Sequence, residues 1–226
     1  MPSTQDAALE AARNGAPGRL AIIAAQQTAG RGRNANPWHA PAGNLNFSAL
    51  LRPDHPAPPG YWPLLAGLAL HDAIAAALPN PNGLMLKWPN DLLLNGAKLA
   101  GILIDSAIGS HGIPDWVVIG IGVNIAAAPE IAGRRITCLA DHGATVTPTG
   151  LAATLAKKLD HWMAADFPTI RAAWLACAHP TGTPLAINGA PAGAFAGLSP
   201  EGALLLAGHT TPIHVGDIQL AIPCFS

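Results

Sequence analysis

The sequence predicts an α+β fold: a mixed β-sheet backed by helices, followed by a small all-β unit. Three observations lead there. Strand-like apolar runs and helical segments share the chain up to residue 178. Asn95-Gly96 lies between short apolar runs, the strongest short-range signal for a β-hairpin. After His179-Pro180 the texture changes to short apolar runs punctuated by Asn188-Gly189, Gly197, Gly202, Gly208 and Gly216, the spacing of a small barrel or sandwich. Two units are therefore expected, 1–180 and 181–226.

Each element has its own reason. Residues 5–14 read as a helix, with Ser3 or Thr4 as N-cap and Gly15 just past the end. Arg19 to Gln26 is an apolar run expected to form a buried strand. Residues 27–43 mix glycines and prolines with two arginines and form a loop. Asn44 to Arg52 alternates Leu45, Phe47, Ala49 and Leu51 with polar or smaller residues, as a strand does. Trp62 to Leu78 is an almost wholly apolar helix and must be buried. Leu84–Lys87, Leu92–Leu94, Leu99–Asp105 and Trp116–Ile125 read as strands, and Thr149–Ala165 and Phe167–Ala178 as helices.

Composition excludes several classes of function. Half of the 226 residues are apolar and 11% are charged, which rules out intrinsic disorder. Twelve basic and thirteen acidic side chains give a net charge of −1, unlike a strongly basic nucleic-acid binder. Apolar stretches are broken before about 18 residues, so no membrane span is expected. The start, Met1 to Asp6, lacks the basic and apolar regions of a secretory leader. Cys138, Cys177 and Cys224 lie far apart; this argues against a disulfide framework or zinc site and for buried, silent thiols in a reducing cytoplasm.

Charge is scarce, so its placement carries information. Two of the four lysines, Lys87 and Lys98, fall within Lys-Trp-Pro-Asn-Asp-Leu-Leu-Leu-Asn-Gly-Ala-Lys, and Arg31 and Arg33 lie in the glycine loop. Glycine loops expose N–H groups, and arginine adds a fork suited to phosphate or carboxylate. Four cations on otherwise apolar elements point to an anionic small molecule; solvated turn residues are the bland alternative. Val118-Ile-Gly-Ile-Gly-Val-Asn124 puts two glycines inside a strand, where a ligand or another backbone can come close. It lacks the third glycine and the helix of a dinucleotide fingerprint, and the chain has no P-loop.

Read together, Gln27-Thr-Ala-Gly-Arg-Gly-Arg33 with Trp38, Asn44-Leu-Asn-Phe-Ser48, Lys87-Trp-Pro-Asn-Asp91, Lys98-Leu-Ala-Gly-Ile-Leu103 and Gly120-Ile-Gly-Val-Asn124 resemble the consecutive signatures of biotin–protein ligases. The resemblance covers roughly residues 3–125, and the tail around Phe195-Ala-Gly197 and Gly202 to Leu206 is similar to that family's small C-terminal domain. It implies a class II synthetase-like catalytic domain and a C-terminal SH3-like barrel. It implies activation of biotin by ATP and Mg²⁺ to biotinyl-5′-AMP, then transfer to a lysine of a biotin carboxyl carrier protein. By resemblance Lys98, Lys87 and Arg33 carry the catalysis, with Lys98 stabilising charge between carboxylate and α-phosphate. Ser3, Thr4 and Gln27 match the residues that meet the biotin ring. Gly30, Arg31, Gly32 and Arg33 match the ligand loop, and Lys98, Gly101 and Gly120 the rest of the biotin site. Gly120 and Gly122 would let the bicyclic ring lie against the strand. Trp38, Asn90, Asp91 and Asn124 match the nucleotide side. Asp91 would help a Mg²⁺ or orient a lysine.

The chain departs from the family pattern in three places. Asn34-Ala35-Asn36-Pro37 replaces a further Gly-Arg, Gln5 follows the Ser-Thr pair instead of Asn, and only Met1 and Pro2 precede that pair. Some members carry an N-terminal helix-turn-helix domain; none precedes Ser3, so DNA binding by that route is not expected. The resemblance leaves a homodimer open. Rival readings are a lipoate–protein ligase and a non-catalytic sensor of biotin or its adenylate.

Overall fold

A computed structural model describes residues 1–109 and 112–220. Cys224 and the end of the expected small β unit lie outside the described residues. The first helix, α1 (Thr4–Arg13), starts where the cap residue dictates: the Ser3 hydroxyl accepts the amide of Asp6. It ends ahead of Gly15, whose φ of 77° only glycine adopts without strain.

Six strands follow in one sheet: β1 (Leu20–Ala24), β2 (Leu45–Leu51), β3 (Leu84–Lys87), β4 (Asp91–Leu94), β5 (Ala97–Ile108) and β6 (Pro114–Val123). Their order is β1-β2-β6-β5-β4-β3, and every named pairing among them is antiparallel. Parallel pairing enters through isolated bridges, Leu86 with Ala178 and Lys98 with Ile136. Asn95 and Gly96 both have positive φ, 51° and 74°, as the expected two-residue hairpin turn requires.

The run at 19–26 corrects one expectation. β1 is a sheet edge with alternating burial, and Ile23 is 45% exposed. An apolar run alone does not reveal which strand lacks a second neighbour. In contrast β2 is buried along its whole length. It is covered on both faces: Leu50 packs with Ala8, Leu9 and Ala12 of α1, whereas Leu45, Phe47 and Leu51 join the main core.

That core is built on α2 (Tyr61–Ala75), whose residues from Leu64 to Leu70 are all buried. The helices α3 (Pro148–Met163) and α4 (Phe167–Ala176) pack against it. Both begin with a capped proline turn; Thr147 and Asp166 accept amides of Gly150 and Thr169.

The C-terminal strands β7 (Pro184–Ile187), β8 (Ala190–Leu198), β9 (Leu204–Leu206) and β10 (Ile218–Leu220) form a second antiparallel sheet in the order β10-β7-β8-β9. Leu185, Phe195, Leu198, Leu204 and Ile218 belong to the same hydrophobic cluster as α2. Polar ties reinforce the docking. Trp88 Nε1 donates to the Gly202 carbonyl (3.1 Å), and Arg171 donates to the carbonyls of Leu198 and Ser199. These contacts tie the β8–β9 end of the second sheet to the turn after β3 and to α4.

Candidate active site

A cavity of about 560 Å³ opens on the sheet face between the glycine loop, β3–β6, the segment 129–136 and β10. Among the residues singled out from the sequence, Ser3, Thr4, Gln27, Arg31, Gly32, Arg33, Trp38, Lys87, Asn90, Asp91, Lys98, Gly101, Gly120 and Asn124 all line it. Gly30 does not. It sits behind the loop, where its carbonyl accepts Trp38 N–H (2.9 Å) and a Cβ would run into the Trp38 carbonyl.

The chemistry concentrates where β3, β4 and β5 meet. The turn at 88–90, with a cis Trp88–Pro89 peptide, sets Lys87 directly opposite Asp91 in the β3–β4 register. β5 then brings Lys98 to the same carboxylate. Asp91 is 7% exposed; its oxygens lie 2.7 Å from Lys87 Nζ and 2.5 Å from Lys98 Nζ. Burial alone would push this carboxyl up, but the charges and hydrogen bonds of Lys98 and Lys87 outweigh it and hold Asp91 below the usual carboxylate range. Lys87 also donates to the Ile218 carbonyl of β10 (2.7 Å).

Of the two roles left open for Asp91, this geometry fits the second. Each oxygen already holds an ammonium, and a dication would meet two positive charges there. Among the described residues no group of three His, Cys, Asp or Glu could cage a metal. Mg²⁺ is commonly held by substrate phosphates and water rather than by an all-protein cage.

The opposite end is built mainly of neutral polar side chains, with the Asp105 carboxylate behind them accepting Gln5 Nε2 (2.8 Å). Gln27 Oε1 accepts from the backbone N–H (2.7 Å) and hydroxyl (3.1 Å) of Thr4, and its Nε2 donates to Asn46 (3.0 Å). Ser48 Oγ lies 2.9 Å from Thr4 Oγ1 and 3.0 Å from Gln5 Oε1. Thr4, Gln5, Asn46 and Ser48 are all buried, so this is a fixed set of donors and acceptors in a closed wall. Ser3 is spent on capping α1. Gln5, Asn46 and Ser48 were missed as site residues. The signal was there for two of them, since Asn46 and Ser48 alternate on β2 within the Asn-Leu-Asn-Phe-Ser run.

The glycine loop is tethered. Its Arg31 pairs with Asp6 (2.8 Å) and approaches Asp105 (3.8 Å), partners far away in sequence. Arg33 donates to Asn90 Oδ1 (3.1 Å), while Asn90 Nδ2 donates to the Ile102 carbonyl. Asn124 is buried and occupied with Thr137 and Asn44; it anchors the segment after β6, whose first amides Asn44 Oδ1 accepts.

The strand glycines Gly120 and Gly122 line the cavity, and side chains of this chain come close over them. A Cβ on Gly120 would run into Gln5 Oε1, and one on Gly122 into the Trp38 indole. The same indole stands over Gly101, 3.3 Å from where a Cβ there would sit, and Lys98 Nζ lies 6.0 Å from the ring centroid. Gly122→Ala is therefore expected to displace Trp38 and cost about 1–3 kcal/mol, the usual penalty for overpacking a filled site. Urea unfolding of the variant checks this; an unchanged midpoint would mean that the indole shifts freely.

Two relevant residues carried no motif. Arg134 and Arg135 also line the cavity, and the Arg135 carbonyl accepts Lys98 N–H (2.8 Å).

A model of the biotin/lipoate A/B protein ligase family matches residues 1–124. The biotin–[acetyl-CoA-carboxylase] ligase of Paracoccus denitrificans is 38% identical over 208 residues, 86% of each chain. The structure of the biotin protein ligase from Aquifex aeolicus in complex with biotin and ATP is similar with a TM-score of 0.81 at 25% identity, over 97% of this chain and 94% of that one. The biotin protein ligase from Leishmania major in complex with biotinyl-5-AMP gives a TM-score of 0.67 at 26% identity, over 89% and 90% of the two chains.

Proposed function

The chain belongs to the biotin/lipoate A/B protein ligase family, and from that premise we propose that it biotinylates a biotin carboxyl carrier protein at the expense of ATP. It is a ligase of two half-reactions. In the first, a biotin carboxylate oxygen attacks the α-phosphorus of ATP. The Pα–O–Pβ bond breaks, pyrophosphate leaves with the electron pair, and biotinyl-5′-AMP remains. In the second, a carrier lysine amine attacks the acyl carbon, an amide forms, AMP leaves, and the amine proton is lost.

One observation carries the assignment to this cavity. A neutral hydrogen-bonding wall of Thr4, Gln27, Asn46 and Ser48 faces the same space as the Lys87–Asp91–Lys98 cluster. An uncharged ureido ring suits the first, and a carboxylate meeting a phosphate suits the second. Joining two anions at contact costs about 1 kcal/mol in water and several times more in a dry site. Lys98 is our candidate for the charge that offsets this, since it is the more exposed of the two lysines. Lys87 is the buried helper, and Arg33, positioned by Asn90, is the loop's contribution. Trp38 and the loop shield the adenylate from water.

The small C-terminal unit, divided from the rest near residue 180, is read as a support for the lysine cluster, through the Lys87 bond to Ile218. A cytoplasmic setting is part of the same reading, supported by the free thiols of Cys138 and Cys177. No helix among the described residues is long and apolar enough to cross a membrane.

The deciding experiment measures pyrophosphate release with biotin plus ATP against lipoate plus ATP, followed by label transfer to a carrier domain. Release with biotin alone is expected. Release with lipoate alone, or binding of biotin without turnover, would overturn the proposal in favour of a lipoate ligase or a sensor.

A further inference from the structure

A second cavity lies behind the glycine loop, lined by Asp6, Glu10, Arg31, Asp105 and Trp116 among others. Asp105 borders this space rather than the active-site cavity. It still reaches the neutral wall, through one side chain. Gln5 Nε2 donates to Asp105 Oδ2 (2.8 Å) and lies 3.4 Å from the Val118 carbonyl, while its Oε1 lies 3.0 Å from Ser48 Oγ. Asp105 pairs with Val118 across β5 and β6, and Ser48 with Gly120 across β2 and β6. Gln5 therefore spans three strands. Gly120 leaves the room for it, since a Cβ there would run into Gln5 Oε1.

The direction of every hydrogen bond in the wall follows from its two ends. At one end sit a carboxylate and a carbonyl, which only accept. They turn the NH₂ of Gln5 towards Asp105 and so its oxygen towards Ser48. At the other end Asn46 Nδ2 donates to the Ala24 carbonyl (3.2 Å). Asn46 Oδ1 then accepts Gln27 Nε2, and Gln27 Oε1 accepts both the N–H and the hydroxyl of Thr4. Thr4 has no proton left to give. The Ser48 hydroxyl lies between two acceptors, Thr4 Oγ1 at 2.9 Å and Gln5 Oε1 at 3.0 Å, with one proton for both. The wall is one proton short at its centre. Thr4, Gln5 and Ser48 line the cavity and are at most 3% exposed, so what enters the cavity must supply the missing donor.

We infer that Asp105 is a positioning residue for ring recognition: from outside the cavity it sets the direction of the Gln5–Ser48–Thr4 hydrogen bonds and leaves an acceptor open to a ligand N–H. This rests on the ligase reading above. A cyclic urea brings two N–H donors and a dithiolane ring none, so the polarity of the wall separates biotin from lipoate. A site whose buried polar groups await a partner rejects an analogue lacking it far more strongly than a hydrophobic pocket rejects a missing methylene. Were Asp105 an amide, its own NH₂ could serve the Gln5 oxygen. Gln5 would then turn its NH₂ to Ser48, and the shortage would vanish.

The test measures, by calorimetry, binding of biotin and of biotin methylated on either ureido nitrogen to wild type and Asp105→Asn. Arg31 keeps Asp6 at 2.8 Å, so the loop stays anchored in the variant. Affinity for biotin should fall about tenfold, the worth of one hydrogen bond. Affinity for the analogue that lacks the recognised N–H should not fall, so the preference for biotin over it shrinks by the same factor. The KM for ATP and kcat at saturating biotin should stay unchanged. Gln5→Met removes the competing acceptor and frees the Ser48 proton for Thr4. It should show the same selective loss, and it decides the matter if Asp105→Asn is unstable. Equal losses for biotin and both analogues would overturn the inference and make Asp105 a structural residue. Unchanged affinity for biotin would remove Asp105 from recognition altogether. A wild type that neither binds biotin nor releases pyrophosphate would instead overturn the ligase reading beneath it.

Discussion

Asp91→Asn is expected to destabilise the fold by about 3–5 kcal/mol, the usual cost of removing one partner from a buried ionic cluster. The carboxylate is 7% exposed and serves two ammonium groups at 2.7 and 2.5 Å. Without it Lys98 can turn towards water, because a quarter of its side chain is already accessible. Lys87 cannot do so easily. It is mostly buried and its other partner is the neutral Ile218 carbonyl. Its charge would be left with a carbonyl dipole alone. The damage should spread to β10, since that bond ties the C-terminal sheet to the large one.

The pH dependence follows from the direction of the shift. The folded carboxyl binds its proton less readily than the unfolded one. Its contribution to stability is complete above the ordinary carboxylate range and fades as pH falls through the lowered value. Wild type should therefore lose stability towards acid more steeply than Asp91→Asn. Urea unfolding from neutral to acidic pH measures both effects. Equal stability of the two proteins at neutral pH would show that the lysines do not depend on Asp91.

What the sequence revealed and what it hid divide along a physical line. Local chemistry was legible. Ser3 marks the start of α1 because a hydroxyl there satisfies an orphan amide, and Asn95-Gly96 marks the hairpin because both residues tolerate positive φ. Proximity created by the sheet was not. Lys87 and Asp91 face each other only because β3 and β4 pair in that register. Arg31 meets Asp6 and Asp105 only after α1 and β5 are placed. Most of the motif residues singled out line the cavity, Gly30 excepted, yet several are occupied with one another. Asn124 anchors the following segment, and Gln5 and Trp38 come close over Gly120 and Gly122. Arg134 and Arg135 escaped notice because exposed arginines outside a motif look like any solvated pair until a cavity wall is drawn through them.

Lys98→Ala is expected to slow adenylate formation by about a hundredfold to a thousandfold, the loss typical when one preorganised charge-stabilising donor is removed from a water-excluded site. In the structure Lys98 Nζ is the cation that Asp91 holds at the cavity surface, next to the Trp38 ring and Gly101. Asp91 fixes the ammonium before substrates arrive, so little reorganisation is needed when negative charge gathers between carboxylate and α-phosphate. The substitution leaves Asp91 paired with Lys87. Stability should therefore fall by only about 1–3 kcal/mol, the worth of one charge-assisted hydrogen bond, less than for Asp91→Asn. The two variants thus separate chemistry from folding: Asp91→Asn should be dominated by lost stability, Lys98→Ala by lost rate in a protein that still melts cooperatively. Pyrophosphate release at saturating biotin and ATP, read beside a thermal melt, distinguishes them. A Lys98→Ala protein that releases pyrophosphate at the wild-type rate would remove Lys98 from the chemistry and leave it as a counter-ion for Asp91.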